Sequence, residues 1–339
     1  MPEELAAPIR PVAAASVPWE TAIEGTRFGV RYRHLSAALL GDGYRVGVAL
    51  EELEPGRQSA PAHYHVFEEE HLYLLEGRLT VRIGDRSYAM QPGDYVCFPA
   101  GHAAGHCLIN EGDATCRYLI IGENDPNEIA VYTDSNKVLV RSLGRRALLD
   151  LSARRDYWQG EDTGAAIPPD PREPLLPAPA SPFPPVVSAA VEAERTDEGP
   201  RFGGQAQHLT FAAVGADYRV GVLIESPAPG KRLAPRHYHL FEEEHAYVLD
   251  GELTLLLGEE RHVMKAGDYV AFPAGRPVAH SFLNSGDGPC RYLIIGERKP
   301  HDVCVYPDSN KVAVNALGSG RSVLDLSASR GYWDDESDV

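Results

Sequence analysis

The stretch PAHYHVFEEEHLYLLEG at residues 61–77 returns almost unchanged as PRHYHLFEEEHAYVLDG at residues 235–251. The same offset of 174 residues aligns CRYLIIGE from Cys116 with identical letters from Cys290, and no gap is needed between the two copies. More than half of the aligned positions from 61 to 138 are identical. Solenoid and propeller repeats are only about 20–50 residues long. The pattern therefore indicates a tandem duplication of a whole domain.

Composition supports two ordinary globular domains. A chain of 339 residues is long enough for roughly two domains, and 43% hydrophobic with 24% charged residues predicts a packed core rather than disorder. The formal net charge of −17 predicts repulsion from phosphate backbones and anionic lipid headgroups, and no basic patch offsets it. We expect no nucleic-acid or membrane partner.

The cysteine pattern and the N-terminal sequence favour the cytoplasm. The five cysteines contain no CxxC pair, which argues against a secreted disulfide framework and against a zinc ribbon. The opening MPEELAAPIRPVAAASVPWE lacks the basic start and apolar run of a signal peptide, and no stretch approaches 18 apolar residues. We expect an unexported cytoplasmic protein.

Composition along the chain predicts the domain boundaries. IPPDPREPLLPAPASPFPPVVS, which ends at Ser188, is dense in proline and reads as an extended connector. We therefore expect an N-terminal extension at 1–26, a first domain at 27–160, a proline-rich linker at 161–190 and a second domain at 191–339.

Each half has the pattern of a β-domain. Short alternating runs such as LTVRI and YLIIG are separated by turn pieces such as EGRL, MQPGD and NEGD at roughly ten-residue spacing. Long helical periods are absent. This spacing predicts an all-β sandwich or closed barrel in each half.

Metal-ligand residue types recur at matching positions in both halves. On a strand, His63 and His65 face one way while Tyr64 faces the other, so two imidazoles converge. Glu70 follows after a short bend, and His106 comes from a later strand. The second half repeats the set as His237, His239, Glu244 and His280. Three imidazoles and a carboxylate form a partly open metal coordination sphere.

These residues belong to two longer motifs. The first is HxH, four residues, Glu, six residues, Gly. It is met by His63, His65, Glu70 and Gly77 and by His237, His239, Glu244 and Gly251. The second is Gly, five residues, Pro-x-Gly, a four-residue spacer, His, three residues, Asn. It is met by Gly93, Pro99, Gly101, His106 and Asn110 and by Gly267, Pro273, Gly275, His280 and Asn284.

With these motifs the sequence resembles the cupin superfamily, although the family spacer before the last histidine is often two residues. The resemblance implies a tandem (bicupin) protein with two double-stranded β-helix barrels joined by the proline-rich linker. It also implies one divalent transition metal in each domain, held by three His and one Glu. The family uses iron, manganese, nickel, zinc or copper, and the ligands alone do not select among them.

The resemblance favours a metal-dependent enzyme, similar to bicupin dioxygenases or decarboxylases, that acts on a small oxygenated or acidic metabolite. It does not identify catalytic residues. A non-catalytic small-ligand binding or sensing protein is the alternative. A sugar-phosphate isomerase-like protein is a second alternative, and it would need basic pocket residues such as Arg82, Arg236 or Arg276. A homodimer or larger homo-oligomer is compatible with the repeated apolar tails.

Residues beside the motifs receive structural interpretations. Glu68 and Glu69 are read as solvated or as supports for the ligands. His71 and its counterpart His245 are expected to point out of the barrel, toward a surface or an interface. Asn110, with its counterpart in the second motif, is expected to serve a hairpin turn. The aromatic tails are expected to seal a hydrophobic edge or a subunit contact, through Tyr157, Trp158, Tyr332 and Trp333.

Several positions differ between the copies. Cys97, Cys107, Arg82 and His102 are matched by Ala271, Ser281, Leu256 and Arg276. The two thiols are read as ordinary buried cysteines. If any of these residues lines a cavity, we expect the two sites to bind different ligands.

Overall fold

Strands dominate the fold. A computed structural model describes residues 8–143, 147–155, 157–159, 161–162, 164, 180–317 and 322–334. Two six-residue helices occupy equivalent places in the repeats, α1 at Leu35–Leu40 and α2 at Leu209–Val214. Over these ranges no helix has the length and apolar character needed to cross a lipid bilayer. All five cysteines are buried and none forms a disulfide.

The strands follow the alternating runs of the sequence. The first fifteen are β1 (Val12–Ala13), β2 (Glu20–Glu24), β3 (Phe28–His34), β4 (Val46–Leu53), β5 (His63–His65), β6 (Glu70–Glu76), β7 (Leu79–Ile83), β8 (Arg86–Met90), β9 (Asp94–Phe98), β10 (His106–Ile109), β11 (Cys116–Glu123), β12 (Ile129–Tyr132), β13 (Lys137–Val140), β14 (Ala147–Asp150) and β15 (Val186–Val187). The others are β16 (Ala193–Glu198), β17 (Phe202–His208), β18 (Val220–Pro227), β19 (Tyr238–His239), β20 (Glu244–Asp250), β21 (Glu252–Leu257), β22 (Glu260–Lys265), β23 (Asp268–Phe272), β24 (His280–Leu283), β25 (Arg291–Glu297), β26 (Val303–Tyr306), β27 (Lys311–Val314) and β28 (Ser322–Asp325). Short 3-10 turns lie at Ala14–Ser16, Gly41–Gly43, Arg141–Leu143, Leu151–Ala153, Ser188–Ala190, Pro307–Ser309 and Leu326–Ala328.

One compact unit, called barrel 1, contains Trp19–His34 and Gly47–Ala189. Its strands form two seven-stranded sheets, in the orders β14-β13-β12-β5-β10-β7-β8 and β15-β9-β6-β11-β4-β3-β2. Alternate residues of β7 are buried, which is the signature of a strand with one face toward a core. The core of barrel 1 includes Leu53, Leu72, Leu74, Val81, Met90 and Tyr118.

The other compact unit, called barrel 2, contains the chain from Ala190 onward, Leu35–Val46 and the described residues up to Pro18. Its sheets have the orders β1-β23-β20-β25-β18-β17-β16, β19-β26-β27-β28 and β22-β21-β24. Its core includes Val248, Leu253, Leu255, Met264, Phe282 and Tyr292. The predicted all-β jelly-roll architecture is confirmed in both halves.

Two short arms serve as edge strands at equivalent positions. Val12 of β1 pairs with Tyr269 in barrel 2, and Val186 of β15 pairs with Tyr95 in barrel 1. Part of the predicted N-terminal extension and the end of the predicted linker are therefore sheet strands. The linker residues 165–179 lie outside the described residues.

The turn and tail predictions have different outcomes. The fully buried Asn110 donates from Nδ2 to the carbonyls of Leu53 (2.7 Å) and Ala114 (2.9 Å), which confirms its turn role. The four tail aromatics do not seal an edge within the chain, because each is more than half exposed, and that prediction is wrong. Their role in a subunit contact stays a prediction.

Gly77 tests the close approach of β6 to β11. Its φ is +83°, and a Cβ there would lie 2.9 Å from both Cα and Cβ of Cys116. We expect Gly77→Ala to lower the free energy of unfolding of barrel 1 by at least about 2 kcal/mol, because strain and overlap add. Urea denaturation measures the loss. Gly84→Ala is the control, since Gly84 has φ +61° but open space around the built Cβ. Equal losses in the two variants would contradict the close-approach explanation.

Candidate metal sites

A cross-strand backbone pair places two of the predicted ligands side by side in barrel 1. His106 of β10 pairs in register with His63 of β5. The alternation of β5 puts the third imidazole, that of His65, on the same face, and the ring centroids of His63 and His106 are 4.9 Å apart. Sheet geometry therefore brings together residues that are more than 40 positions apart in the sequence.

Glu70, at the start of β6, completes the cluster. Its Oε2 lies 2.6 Å from Nε2 of His106 and 3.6 Å from Nε2 of His65. One ligand atom from each of the four side chains lies within 4.8 Å of all the others. The ring of Phe98 stacks on His106 with centroids 3.7 Å apart and holds that imidazole in plane. The structure thus assembles the whole predicted set of barrel 1.

Hydrogen bonds orient two of these imidazoles. Nδ1 of His63 donates to the carbonyl of Pro61 at 2.8 Å, and Nδ1 of His65 donates to Oε1 of Glu128 at 3.1 Å. Because Nδ1 of each ring makes this bond, the other ring nitrogen, Nε2, faces the cluster.

The cluster carries one negative charge on its carboxylate. Burial raises the pKa of Glu70, but the neighbouring His106 and His65 outweigh it and hold that pKa well below the ordinary range. Burial, together with His106, lowers the pKa of His63 to about 4. Burial also opposes the charge of His65, yet its hydrogen bonds to Glu128 and Glu70 raise its pKa to about 10. An anionic carboxylate thus faces imidazoles that differ in basicity.

This donor set fits a divalent cation. Ligand atoms on opposite sides of an ion with bonds of about 2.1 Å are about 4.2 Å apart, which agrees with the size of the cluster. The described ion-pair partners of Glu70 are imidazoles, and no Lys or Arg among the described residues neutralises it. Imidazole and carboxylate donors suit zinc, iron, manganese and nickel.

Barrel 2 repeats the arrangement. His237 and His280 form a backbone pair with two hydrogen bonds of 3.0 and 2.8 Å. Oε2 of Glu244 lies 2.8 Å from Nε2 of His280 and 3.8 Å from Nε2 of both His237 and His239. The mutual 4.8 Å limit holds for His237, Glu244 and His280, whereas His239 meets that limit with His237 and Cys304. Nδ1 of His239 donates to Asp302 at 2.7 Å.

The motifs match a known family. The family model described as the Cupin domain matches residues 49–122 and, again, residues 223–296. The chain carries two cupin domains in tandem. No protein of curated function matches it.

Solved structures share the fold of this tandem cupin. The oxalate decarboxylase of Lactobacillus farciminis, a formate complex, is 16% identical with a TM-score of 0.55, over 86% of both chains. The oxalate decarboxylase of Bacillus subtilis is 16% identical with a TM-score of 0.53, over 88% of this chain and 78% of its own. A sugar phosphate isomerase of the cupin superfamily from Silicibacter pomeroyi is 29% identical with a TM-score of 0.38, over 42% of this chain and 92% of its own.

Supporting carboxylates of the tandem cupin were partly missed by sequence reasoning. Glu128 and Asp302, which precede β12 and β26, hold His65 and His239. Both halves have an acidic residue at this position, because Asp302 follows Glu128 by the repeat offset of 174 residues. That recurrence was the sequence signal for a supporting role. Glu68 supports the site, as one of its two interpretations predicted, because it is buried and its Oε2 lies 3.6 Å from Nδ1 of His65.

His71 and His245 lie outside the ligand clusters, as predicted. Of the two expected positions, the surface is wrong, because both side chains are fully buried, and a role at an interface stays a prediction. Nδ1 of His71 bonds to the hydroxyl of Tyr95 at 2.7 Å, and His245 bonds likewise to Tyr269 at 2.6 Å. Nε2 of His245 also bonds to Oε1 of Glu243 at 3.0 Å, whereas Nε2 of His71 has no hydrogen-bond partner among the described residues.

A second carboxylate, partly buried, lies inside each cupin barrel, and sequence reasoning missed it. Glu51 shares the inward face of β4 with Leu53, and Glu225 occupies the same place on β18. Burial raises the pKa of Glu51 to about 7, and the nearby Glu70 adds to the shift while Tyr118 opposes it. Burial raises the pKa of Glu225 to about 7 as well, although the hydroxyl of Tyr292 donates to it at 2.6 Å. An acid retained inside an apolar strand in both repeats was the available signal.

The two cupin sites differ at their edges. Cys97 and His102 line a narrow cavity beside His65 in barrel 1, and Phe183 from the segment before β15 packs 4.9 Å from the ring of His102. Barrel 2 instead has Cys304, whose Sγ lies within 4.8 Å of ring nitrogens of His237 and His239. Its counterpart in barrel 1 is Ala130. The expectation of different ligands in the two sites stays a prediction.

The arginines predicted for an isomerase pocket include two that have carboxylate partners. Arg82 pairs with Asp134, and Arg236 makes a two-pronged contact with Asp308 at 2.8 and 2.6 Å. Asp134 and Asp308 occupy the same position in the two repeats, but the arginines that pair with them come from positions that are not equivalent.

Glu51→Gln tests the buried carboxylate. A folded-state pKa of about 7 lies above the ordinary value of 4.5, so the folded protein binds the extra proton and stability falls as pH rises between these values. We expect the variant to gain thermal stability over the wild type at about pH 8.5 but little at about pH 5, in metal-free protein. Melting temperatures at the two pH values measure this. The exposed Glu54→Gln should show no such pH dependence, and an equal gain in both variants would contradict the assignment.

Proposed function

We propose that this tandem cupin is a metal-dependent enzyme with one divalent transition metal in each barrel, acting on a small oxygenated or acidic metabolite. The proposed ligands are His63, His65, Glu70 and His106 in barrel 1 and His237, His239, Glu244 and His280 in barrel 2. The supporting observation is the convergence of imidazole nitrogens on one partly buried carboxylate in each barrel.

The side chains of the site would hold and surround the metal. A bound metal would supply Lewis-acid or redox chemistry to substrate oxygens. Pro61 and Glu128 hold Nδ1 of two ligand imidazoles, so their Nε2 atoms already face the cluster, and His65 would release its second proton when a metal binds. Phe98 and Phe272 each stack on a ligand histidine and keep an apolar wall against it. Such a wall excludes water and strengthens the electrostatic interactions inside the site.

Glu51 and Glu225 are the proposed proton carriers. A carboxyl group with a pKa near 7 holds or accepts a proton at neutral pH, which is the property of a general acid or base. Each lies inside its barrel, and the ligand carboxylate of the same barrel, Glu70 or Glu244, contributes to its raised pKa. Their electrostatic coupling therefore links the proton carrier to the proposed metal site.

Oxalate is the first substrate to test. Oxalate decarboxylases share the fold over most of this chain, and at 16% identity that likeness supports the choice of test without extending further. When hydrogen oxalate loses carbon dioxide, the remaining carbon must take a proton to give formate. A protonated Glu51 or Glu225 is suited to deliver that proton. Oxygen uptake with other small acids tests the dioxygenase alternative.

Metal content tests the proposed ligands. Protein purified without a chelating tag should contain about two metal equivalents per chain, and His63→Ala should retain about one, because each barrel has its own donor set. Elemental analysis measures both. His301→Ala, at an exposed histidine, is the control and should keep both metals. Loss of both metals from His63→Ala would contradict independent sites.

Kinetics test the proton carriers. Glu51→Gln combined with Glu225→Gln should lower kcat by about 100-fold with metal content unchanged, because the amide cannot transfer the proton. Initial rates of formate or carbon dioxide release measure the change, and Glu54→Gln is the matched control. An unchanged kcat would contradict the role. Full metal content without turnover of any acid would favour the ligand-sensing alternative.

A further inference from the structure

A cleft of about 440 Å³ lies on the outer face of the β22-β21-β24 sheet of barrel 2. Leu255 and Leu257 of β21 point into the core, whereas Leu256 between them lines the cleft. On β24, Phe282 is in the core and Leu283 lines the cleft. The cleft is therefore on the opposite side of this sheet from the histidine cluster, and its volume suits a small molecule.

Four arginines line this cleft, namely Arg201, Arg232, Arg236 and Arg261. Backbone hydrogen bonds bring the first two together, because the amide of Arg232 donates to the carbonyl of Arg201 at 3.0 Å. The guanidinium of Arg232 lies 5.0 Å from the ring centre of Phe202. Aromatic stacking leaves the edge of a guanidinium, with its N–H donors, available to a ligand.

In barrel 1, a neutral amide accepts hydrogen bonds from the arginine that is equivalent to Arg201. There Arg27 donates from Nε and Nη2 to Oε1 of Gln58, at 3.1 and 2.9 Å. Arg201 is the counterpart of Arg27, but Arg232 takes the place of Gln58. Barrel 2 has therefore replaced the acceptor by a second cation. The pKa of Arg232 is lowered by burial and, despite attraction from Asp308, by the like charges of Arg236 and Arg201.

The acidic residues of the cleft leave this charge incompletely balanced. Asp308 is engaged by both prongs of Arg236, and Glu260 lies 3.0 Å from Nε2 of His262. Glu259 is the remaining carboxylate in the lining. Within the described part of the chain, Arg201, Arg232 and Arg261 form no ion pair. Three guanidiniums thus face two carboxylates, Glu259 and Glu260, that pair with no described Lys or Arg, and the cleft lining has one net positive charge on a chain whose net charge is −17.

We propose that this cleft is a binding site for a small organic anion, with Arg201 and Arg232 donating to its phosphate or carboxylate group. Guanidinium forks match both groups with paired, charge-assisted hydrogen bonds. At the equivalent described positions of barrel 1, Gln58 satisfies Arg27, and Ser87 stands where Arg261 lies in barrel 2. The site is independent of the proposed metals.

Calorimetric titration of the full chain tests the proposal, with glycerol 3-phosphate and succinate as separate probes. We expect saturable binding of at least one probe below about 10 mM, and its identity distinguishes a phosphate from a carboxylate ligand. Arg232→Gln copies barrel 1 and should weaken binding by at least about tenfold. The exposed Arg201→Gln should weaken it similarly, and it provides a second variant if Arg232→Gln lowers the melting temperature.

Two controls locate the binding. Arg195→Gln removes the same charge from β16, outside the cleft lining, and should change affinity less than about twofold. His237→Ala should keep full anion binding, because the cleft is on the other face of the sheet. Absence of binding by both probes would overturn the proposal. So would retention in both cleft variants, or loss in His237→Ala alone, which would place the anion at the histidine cluster.

Discussion

The site depends on one partly buried carboxylate in each barrel and on the imidazoles held against it. Glu70 and Glu244 lie inside a β-barrel, where an isolated negative charge would be costly. The backbone pair between the first and last histidines of each set supplies the first compensation, because it fixes two imidazoles beside the carboxylate. The HxH alternation adds the third imidazole from the same strand. Removal of any one of the three imidazoles would leave the carboxylate with one partner fewer.

This constraint explains why the interiors of the two barrels are alike while their outer faces differ. Inside, both repeats keep the three histidines, the carboxylate, the stacked phenylalanine and an acid that supports the second histidine. On the outer faces, the charged residues of the two repeats differ. The acceptor Gln58 of barrel 1 becomes Arg232 in barrel 2, and this change creates the arginine-lined cleft.

The interior also separates two carboxylates by role. Glu70 is kept ionised by its imidazole neighbours, whereas burial holds the pKa of Glu51 near neutrality. The same separation recurs for Glu244 and Glu225, with Tyr292 donating to the latter. Pairs of titratable groups whose environments move their pKa values apart are typical of acid-base sites. The duplication therefore preserves this pair of carboxylates with opposite pKa shifts as well as the histidine cluster.

The repeat alone established that the chain contains two domains of one type, and the spacing of His63, His65, Glu70 and His106 identified a cluster that the fold brings together. Strand alternation and turn residues are local properties, so sequence reveals them. Tertiary structure decided the rest. Glu128 is 63 residues from the histidine it holds, and the burial of Glu51 depends on the opposite strand. Leu35–Val46 and the arm at β1 join barrel 2 through contacts with residues more than 200 positions away. Such positions cannot be read from local periodicity, because they are fixed by packing between segments distant in the chain.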